Sequence, residues 1–366
     1  MGSTFGRYLR ATTFGESHGP ALGVVLDGVP AGLALDVDAV AADLARRRPG
    51  QSSLTTPRDE PDRPEVLSGL FEGRTTGAPL AFLVRNQDAD PSAYASFRDV
   101  YRPSHADWTT ELRYGVRDWR GGGRASARET VGRVAAGAVA RQLLAGAGIT
   151  VVGWVDAVGH IDATVDPSRV TRAEVDAHPT RCPDPAAASA MAALIEAVRA
   201  EGDTVGGIVG AVARGLPGGL GEPVADKLEA ALAGAMLSLP ASRGFEIGSG
   251  FRAARMRGSV HNDPLELRDG RVRARTNHAG GVLGGISTGE DLVLRVAFKP
   301  VATIPRPQET VDVRGEPAVL EARGRHDPCV VPRAVPMVEA MMALVVADGW
   351  LGARLARYEG GTREVP

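Results

Sequence analysis

The chain has 366 residues, 43% of them hydrophobic, which is ample for one large core even though length alone would allow two or three domains. Lys and Arg total 42 against 44 Asp and Glu, and the resulting net charge of −2 and pI near 6.4 argue against nucleic acid or an anionic membrane as the main partner. Only Lys227 and Lys299 are lysines, so arginine abundance proves nothing by itself and position must carry the weight.

The N-terminal stretch lacks the basic and apolar regions of a signal peptide, and the longest apolar runs are broken well before 18 residues, near Met337 by Glu339; no membrane span is expected. Gly15-Glu16-Ser17-His18-Gly19 puts a histidine between glycines, and Gly23 to Gly28 reads as a short buried strand closed by a turn. His18 is either a solvated loop residue or an uncovered imidazole available for proton transfer. Asp36 or Asp38 can cap a helix from Val40 to Arg47, stopped by Pro49-Gly50. Arg46, Arg47 and Arg48 suit a helix C-terminus electrostatically, which could be their whole reason. Residues 51–65 are polar and without periodicity, longer than a passive connection, and 49–65 is expected to be a mobile lid. A strand is predicted over 79–85, followed by a second long irregular and mobile segment, 86–115. His105 lies there, with Arg102 opposing its protonation and Asp107 favouring it.

Gly121 to Val139, reading GGGRASARETVGRVAAGAV, carries the strongest local signal. Ser126-Ala127-Arg128-Glu129 spells a capping box, which predicts a helix from Ala127 to about Gly146. Three glycines before it let backbone approach a ligand, and a helix N-terminus offers unpaired N–H groups to an anion. Arg124 and Arg128 flank that point. The dipole contributes only about 0.3–2 kcal/mol, against roughly 8 kcal/mol for micromolar binding, so several arginines must converge. A glycine loop with solvated arginines is the competing account. Ala135, Ala136, Gly137, Ala138 and Ala140 make a small-residue surface suited to close helix packing.

Beyond it, a strand near 149–158, a helix from Asp184-Pro185 to about Gly202, a strand over 205–213 and a helix from Pro223 to Leu237 are predicted. Cys182 and Cys329 form no disulfide framework and have no metal-ligand spacing; reduced cytoplasmic thiols and no metal are expected. Leu265 to Thr276 reads as a hairpin around Asp269-Gly270. A second glycine-rich segment, Asn277 to Ser287, precedes a strand over 291–298. Lys299, in a chain that otherwise uses arginine, suggests a compact ammonium at the strand end, although chance could also leave it there. An apolar helix is predicted from Pro332 to Ala347. No internal repeat or linker divides the chain, so one α+β domain over 1–366 is expected.

Six ordered segments together resemble the chorismate synthase family over nearly the whole chain: GESHG, RRRPG, RPSHAD, the glycine segment above, NHAGGVLGGIS, and RHDPC followed by PMVEAM. The resemblance implies a β-α-β layered sandwich, a homotetramer, and anti-1,4-elimination of phosphate from 5-enolpyruvylshikimate 3-phosphate, with reduced FMN as cofactor and no net redox change. It also implies catalytic roles for His18 towards the departing phosphate, His105 towards the reduced flavin and Asp327 in uptake of the ring proton. By the same resemblance Arg124, Ala125, Ser126, Pro240, Ala241, Gly284, Lys299, Pro300, Val301, Ala302, Thr303 and Arg325 hold FMN. Arg47, with Arg48 and Arg128, falls where the family contacts substrate or NADP. In many relatives an arginine follows RRRPG where Ser53 stands here, which puts a nicotinamide contact there in doubt unless Arg58 compensates. NADPH could reduce the flavin, but the absence of a separate reductase domain favours an external source. Two other readings are an FMN-dependent oxidoreductase, which would oxidise NADPH without phosphate release, and an RNA-binding protein, which would need a basic charge and an aromatic platform.

Overall fold

The computed structural model describes residues 2–51, 54, 60–88, 91–322 and 327–356. Two five-stranded antiparallel sheets enclose a layer of helices. The first sheet has the spatial order Thr4–Phe5, Arg10–Gly15, Ala21–Asp27, Leu80–Arg85, Glu65–Ser68. The second has the order Ser242–Ile247, Leu292–Phe298, Gly207–Arg214, Thr150–Val158, Ile161–Asp162. Alternating burial along Leu80–Arg85 and Leu292–Phe298 shows one face of each sheet turned to the helices, as period-two side chains require.

The helices in chain order are α1 (Val37–Arg47), α2 (Asp107–Tyr114), α3 (Thr130–Ala145), α4 (Arg172–Asp176), α5 (Pro185–Ala200), α6 (Leu228–Leu237), α7 (Gly258–His261) and α8 (Val331–Ala353). Asp36, rather than Asp38, caps α1, accepting from the N–H groups of Asp38 and Ala39. The central pair is α3 and α8: α3 also packs on the first sheet, and α8 on the second. The small-residue face of α3 is used as its composition predicts. A Cβ at Gly137 would stand 2.3 Å from the Ala340 Cβ, so only glycine lets the two backbones come this close.

α8 is 23 residues long and apolar enough to cross a bilayer, but its stretch from Val331 to Ala347 is buried. The Glu339 that breaks its apolar run is buried too. It pairs with Arg46 of α1 and accepts from the N–H of Gly153 in the second sheet, tying helices and sheet together. Breaking such a buried pair by removing one partner costs about 3–5 kcal/mol.

Three elements differ from the sequence-based expectation. Residues 86–115 are not irregular throughout: a 3-10 turn spans Pro91–Phe97 and α2 follows, closed by Gly115 at φ 71°. α2 buries only Asp107, so it has no apolar periodicity to read. α6 starts at Leu228 instead of Pro223, because Glu222 and Asp226 close a turn that Arg7 bridges at 2.6 and 3.1 Å. α8 begins at Val331 and runs six residues past Ala347, with Pro336 inside it. The proposed lid at 49–65 lies in part outside the described residues, as do Ser53 and Arg58.

Candidate active site

A cleft of about 1310 Å³ opens where five segments meet: the loop into α2, the glycine segment before α3, the end of α6 with Leu239 to Ala241, the residues after Phe298, and the start of α8. A two-stranded hairpin, Gln308–Val311 with Pro317–Leu320, lies at its rim. A typical pocket for one drug-sized ligand is roughly 300–1,000 Å³, so this one has room for two.

The glycine segment does not start α3 directly. Two 3-10 turns, Gly123–Ala125 and Ala127–Glu129, precede Thr130. The capping box is not formed. Ser126 Oγ accepts weakly from the N–H of Arg128, at 3.3 Å, while the Glu129 carboxylate is taken by Thr13 Oγ1 at 2.8 Å and Arg133 Nε at 2.9 Å. Tertiary partners outcompete the local one. Ser126 lines the cleft, as do Arg124 and Ala125.

Gly121 and Gly122, both at positive φ, each receive a histidine. A Cβ at Gly121 would meet the His18 ring at 2.0 Å, and one at Gly122 the His105 ring at 2.8 Å. Two histidines 87 positions apart in sequence are thus seated on adjacent glycines. His18 lies against Ser17 Oγ, 3.1 Å from its Nδ1, and edge-on to Tyr94, 4.8 Å between ring centroids. His105 Nδ1 is 2.9 Å from Asp107, which Arg102 grips through Nε at 2.7 Å and Nη2 at 2.6 Å. Burial opposes ionisation of Asp107, but the hydrogen bonds from Arg102 and His105 outweigh it and hold its carboxyl well below the usual range.

The cationic side chains around the cleft fall into two groups. Arg102, Arg124, Arg128, Arg133, Arg314 and Arg333 each face a carboxylate: Asp107 for Arg102, Glu129 for Arg124 and Arg133, Asp62 for Arg128, Asp312 for Arg314 and Asp327 for Arg333. Arg243 and Lys299 do not: among the described residues each is hydrogen-bonded only to a backbone carbonyl, of Ser242 at 3.1 Å and of Ser104 at 3.0 Å. Partial burial, with Arg243 nearby, lowers the Lys299 pKa. Arg128 is ion-paired with Asp62, bonded to Asn86 and faces Glu60 across 3.7 Å from its buried Nη2. Arg243 and Lys299 are the cations that an anionic ligand would satisfy.

The structure therefore brings His105, Arg124, Ala125, Ser126, Arg128, Pro240, Ala241, Lys299, Pro300, Val301, Ala302, Thr303 and Asp327 to one cleft, with His18 behind Gly121. It does not bring His18, Arg47, Arg48 or Gly284 to the cleft wall. Arg47 is fully buried behind it, bonded to Asp62 at 2.6 Å and to the Ala127 carbonyl at 3.3 Å. Arg48 lines a separate cavity of about 520 Å³ beside Arg46 and Arg181. Gly284 sits in a hairpin turn whose Gly285 carbonyl accepts from Leu228 at the start of α6, whereas the far end of α6 lines the cleft. Ten helical residues separate the two, roughly 15 Å. Arg325 lies outside the described residues. Reading the sequence missed Arg243, Arg333 and Asp62. Arg333 left a signal, as a charge in an apolar run; Asp62 left none.

Fold and site together define a small-molecule enzyme with an open, arginine-lined cleft that has His105 in its wall and His18 behind Gly121. The chorismate synthase family model matches residues 9–351. The chain is 58% identical to the chorismate synthase of Opitutus terrae, covering 96% of this chain and 97% of that one, and 58% identical to that of Synechococcus sp. strain JA-3-3Ab, covering 95% and 92%. A crystal structure of a chorismate synthase superposes with a TM-score of 0.75 at 31% identity, covering 95% of this chain and 93% of that one. The chain belongs to the chorismate synthase family and is a lyase of aromatic amino acid biosynthesis. The oxidoreductase and RNA-binding readings give way to this one.

Proposed function

We propose that the chain carries out its chorismate synthase reaction, the anti-1,4-elimination of phosphate from 5-enolpyruvylshikimate 3-phosphate, with reduced FMN bound in the same cleft, with no net redox change, and as a cytoplasmic homotetramer. The observation that carries the cofactor reading is a cleft larger than one ligand needs, with Arg243 and Lys299 free of carboxylate partners among the described residues. A flavin phosphate and a phosphorylated dicarboxylate substrate match that charge. Arg124 to Ser126, Pro240-Ala241 and Lys299 to Thr303 would hold the flavin, and Arg128 the substrate.

When bound, reduced FMN supplies transient electron density that makes phosphate loss feasible although the hydrogen removed is not acidic. The protein orients the two anions and handles protons. An imidazole nitrogen of His18 protonates the departing phosphate, His105 exchanges a proton on the flavin side through Nε2, and Asp327, paired with Arg333, serves the ring proton. Arg47 and Arg48 lie away from the cleft wall, and an external source of reduced flavin fits this arrangement better than NADPH bound beside the substrate. Assembly is supported by apolar side chains left exposed between residues 251 and 272, Phe251 at 77% and Leu267 at 76% among them. A second copy would also be the means of bringing Gly284 to a cleft.

The deciding experiment is an anaerobic assay of chorismate and phosphate with pre-reduced FMN, repeated with oxidised FMN plus NADPH. Equimolar products in the first arm and none in the second are expected. NADPH oxidation matching phosphate release would overturn the no-net-redox reading. Lys299→Ala should weaken FMN binding about 10- to 100-fold, the loss of a charged hydrogen bond of about 1.5–3 kcal/mol; unchanged flavin fluorescence titration would remove Lys299 from the flavin site.

A further inference from the structure

The carboxylate of Asp107 receives four donors, two on each oxygen. Oδ2 accepts from the backbone N–H of Arg102 at 3.1 Å and from its Nε at 2.7 Å; Oδ1 faces Arg102 Nη2 at 2.6 Å and His105 Nδ1 at 2.9 Å. An ionised carboxylate offers acceptors only, about four lone-pair sites. Arg102 offers donors only, and Arg117, with Nη1 3.8 Å from Oδ1, adds a second guanidinium behind the pair. Lys299, on the strand end opposite, is bonded to the Ser104 carbonyl, next to His105 in sequence. With Asp107 so held, His105 has one compatible neutral tautomer. If the proton sat on Nε2, the Nδ1 lone pair would face a carboxylate oxygen at 2.9 Å with no hydrogen between them.

We propose that Asp107 is a positioning residue for the reaction, fixing the Nδ1–H tautomer of His105 so that Nε2 is the nitrogen presented for proton exchange at the cleft. The ring is held from its other side as well, since a Cβ at Gly122 would lie 2.8 Å from His105 Cε1 and 3.1 Å from Nε2. Asp107 touches neither ligand in this scheme and acts only through the imidazole, in the way an outer carboxylate sets the tautomer of a working histidine. Its donors from Arg102 keep it ionised and its direction fixed. The inference rests on the reading of His105 as a proton-transfer residue, and its test separates the two.

The first measurement is the nitrogen-15 spectrum of histidine-labelled enzyme without ligand, His105 being assigned by its absence in His105→Gln. A protonated Nδ1 and an unprotonated Nε2 are expected above the imidazole titration; the opposite tautomer overturns the proposal, and this readout needs no variant of Asp107 to fold. The second is turnover of Asp107→Asn, His105→Ala and the double variant with pre-reduced FMN. Asp107→Asn should lower kcat roughly 10- to 100-fold with KM little changed, the range seen for partners that orient metal-bound imidazoles. On the His105→Ala background the same change should add less than about two-fold, because residues acting as a unit are not additive. An equal loss in both backgrounds would show that Asp107 acts on the fold and not through His105. If His105→Ala alone keeps full turnover, the reading of His105 fails while the tautomer result stands on its own.

Discussion

Gly121 and Gly122 matter because of what they admit. Gly121→Ala would place a methyl 2.0 Å from the His18 ring and demand positive φ of a residue with a Cβ, a conformation costing about 1–2 kcal/mol. We expect modest destabilisation but a loss of turnover as large as that of His18→Ala, because the ring must move; unchanged kcat in steady-state assays would refute the seating of His18. His18→Ala and His105→Ala should each slow turnover by about 10²- to 10⁴-fold at saturating reduced FMN, the usual contribution of a general acid or base. Asp327→Asn should keep flavin affinity and lose turnover; an unaltered rate would free Asp327 of its proton role. Both cysteines are buried, and burial pushes the Cys182 thiol up to about 11 and that of Cys329 to about 12, so neither is a nucleophile.

At the scale of elements, the interlock of α3 with α8 is the packing on which the cleft is built. Gly137→Val would force side-chain volume into a contact that already has Ala340 at 2.3 Å from the position of a Cβ, and overpacking of this kind costs about 1–3 kcal/mol. A lowered urea midpoint at unchanged slope is the expected result, and an unshifted midpoint would mean that the helices are free to separate. The small residues of α3 were legible in the sequence because close packing depends on residue size alone. The capping box was legible too, and misleading: Glu129 found Thr13 and Arg133, partners more than 100 and four positions away, and the α-helix began four residues after Ser126. α2 was missed because a short exposed helix has no stripe to detect.

For the whole molecule, Asp62, Asp107 and Glu339 tie separate segments together while buried. In each, burial opposes ionisation but the facing arginines outweigh it, so the folded pKa lies below the unfolded value. Their stabilisation is therefore complete above the unfolded carboxylate range, near pH 4, and is lost as pH falls through the lower folded values. Thermal scans should show a nearly flat Tm above about pH 5 and a steep decline on acidification; a Tm rising towards pH 3 would contradict the sign. Light scattering should give four times the mass of the 38.1 kDa chain, and a monomer with full activity would end the tetramer reading.

The sequence by itself determined the family, the mixed architecture and most strand and helix positions, since each rests on local pattern or on ordered motifs. Only the tertiary structure decided which arginines are available to a ligand. Arg47 and Arg128 look alike in sequence and both pair with Asp62, but Arg47 is sealed behind the wall while Arg128 reaches the cleft lining. It also decided that His18 and His105 are seated on adjacent glycines, and that Gly284 lies a helix length from the cleft of its own chain. Ion pairing and exposure depend on residues distant in the chain, and no local pattern encodes them.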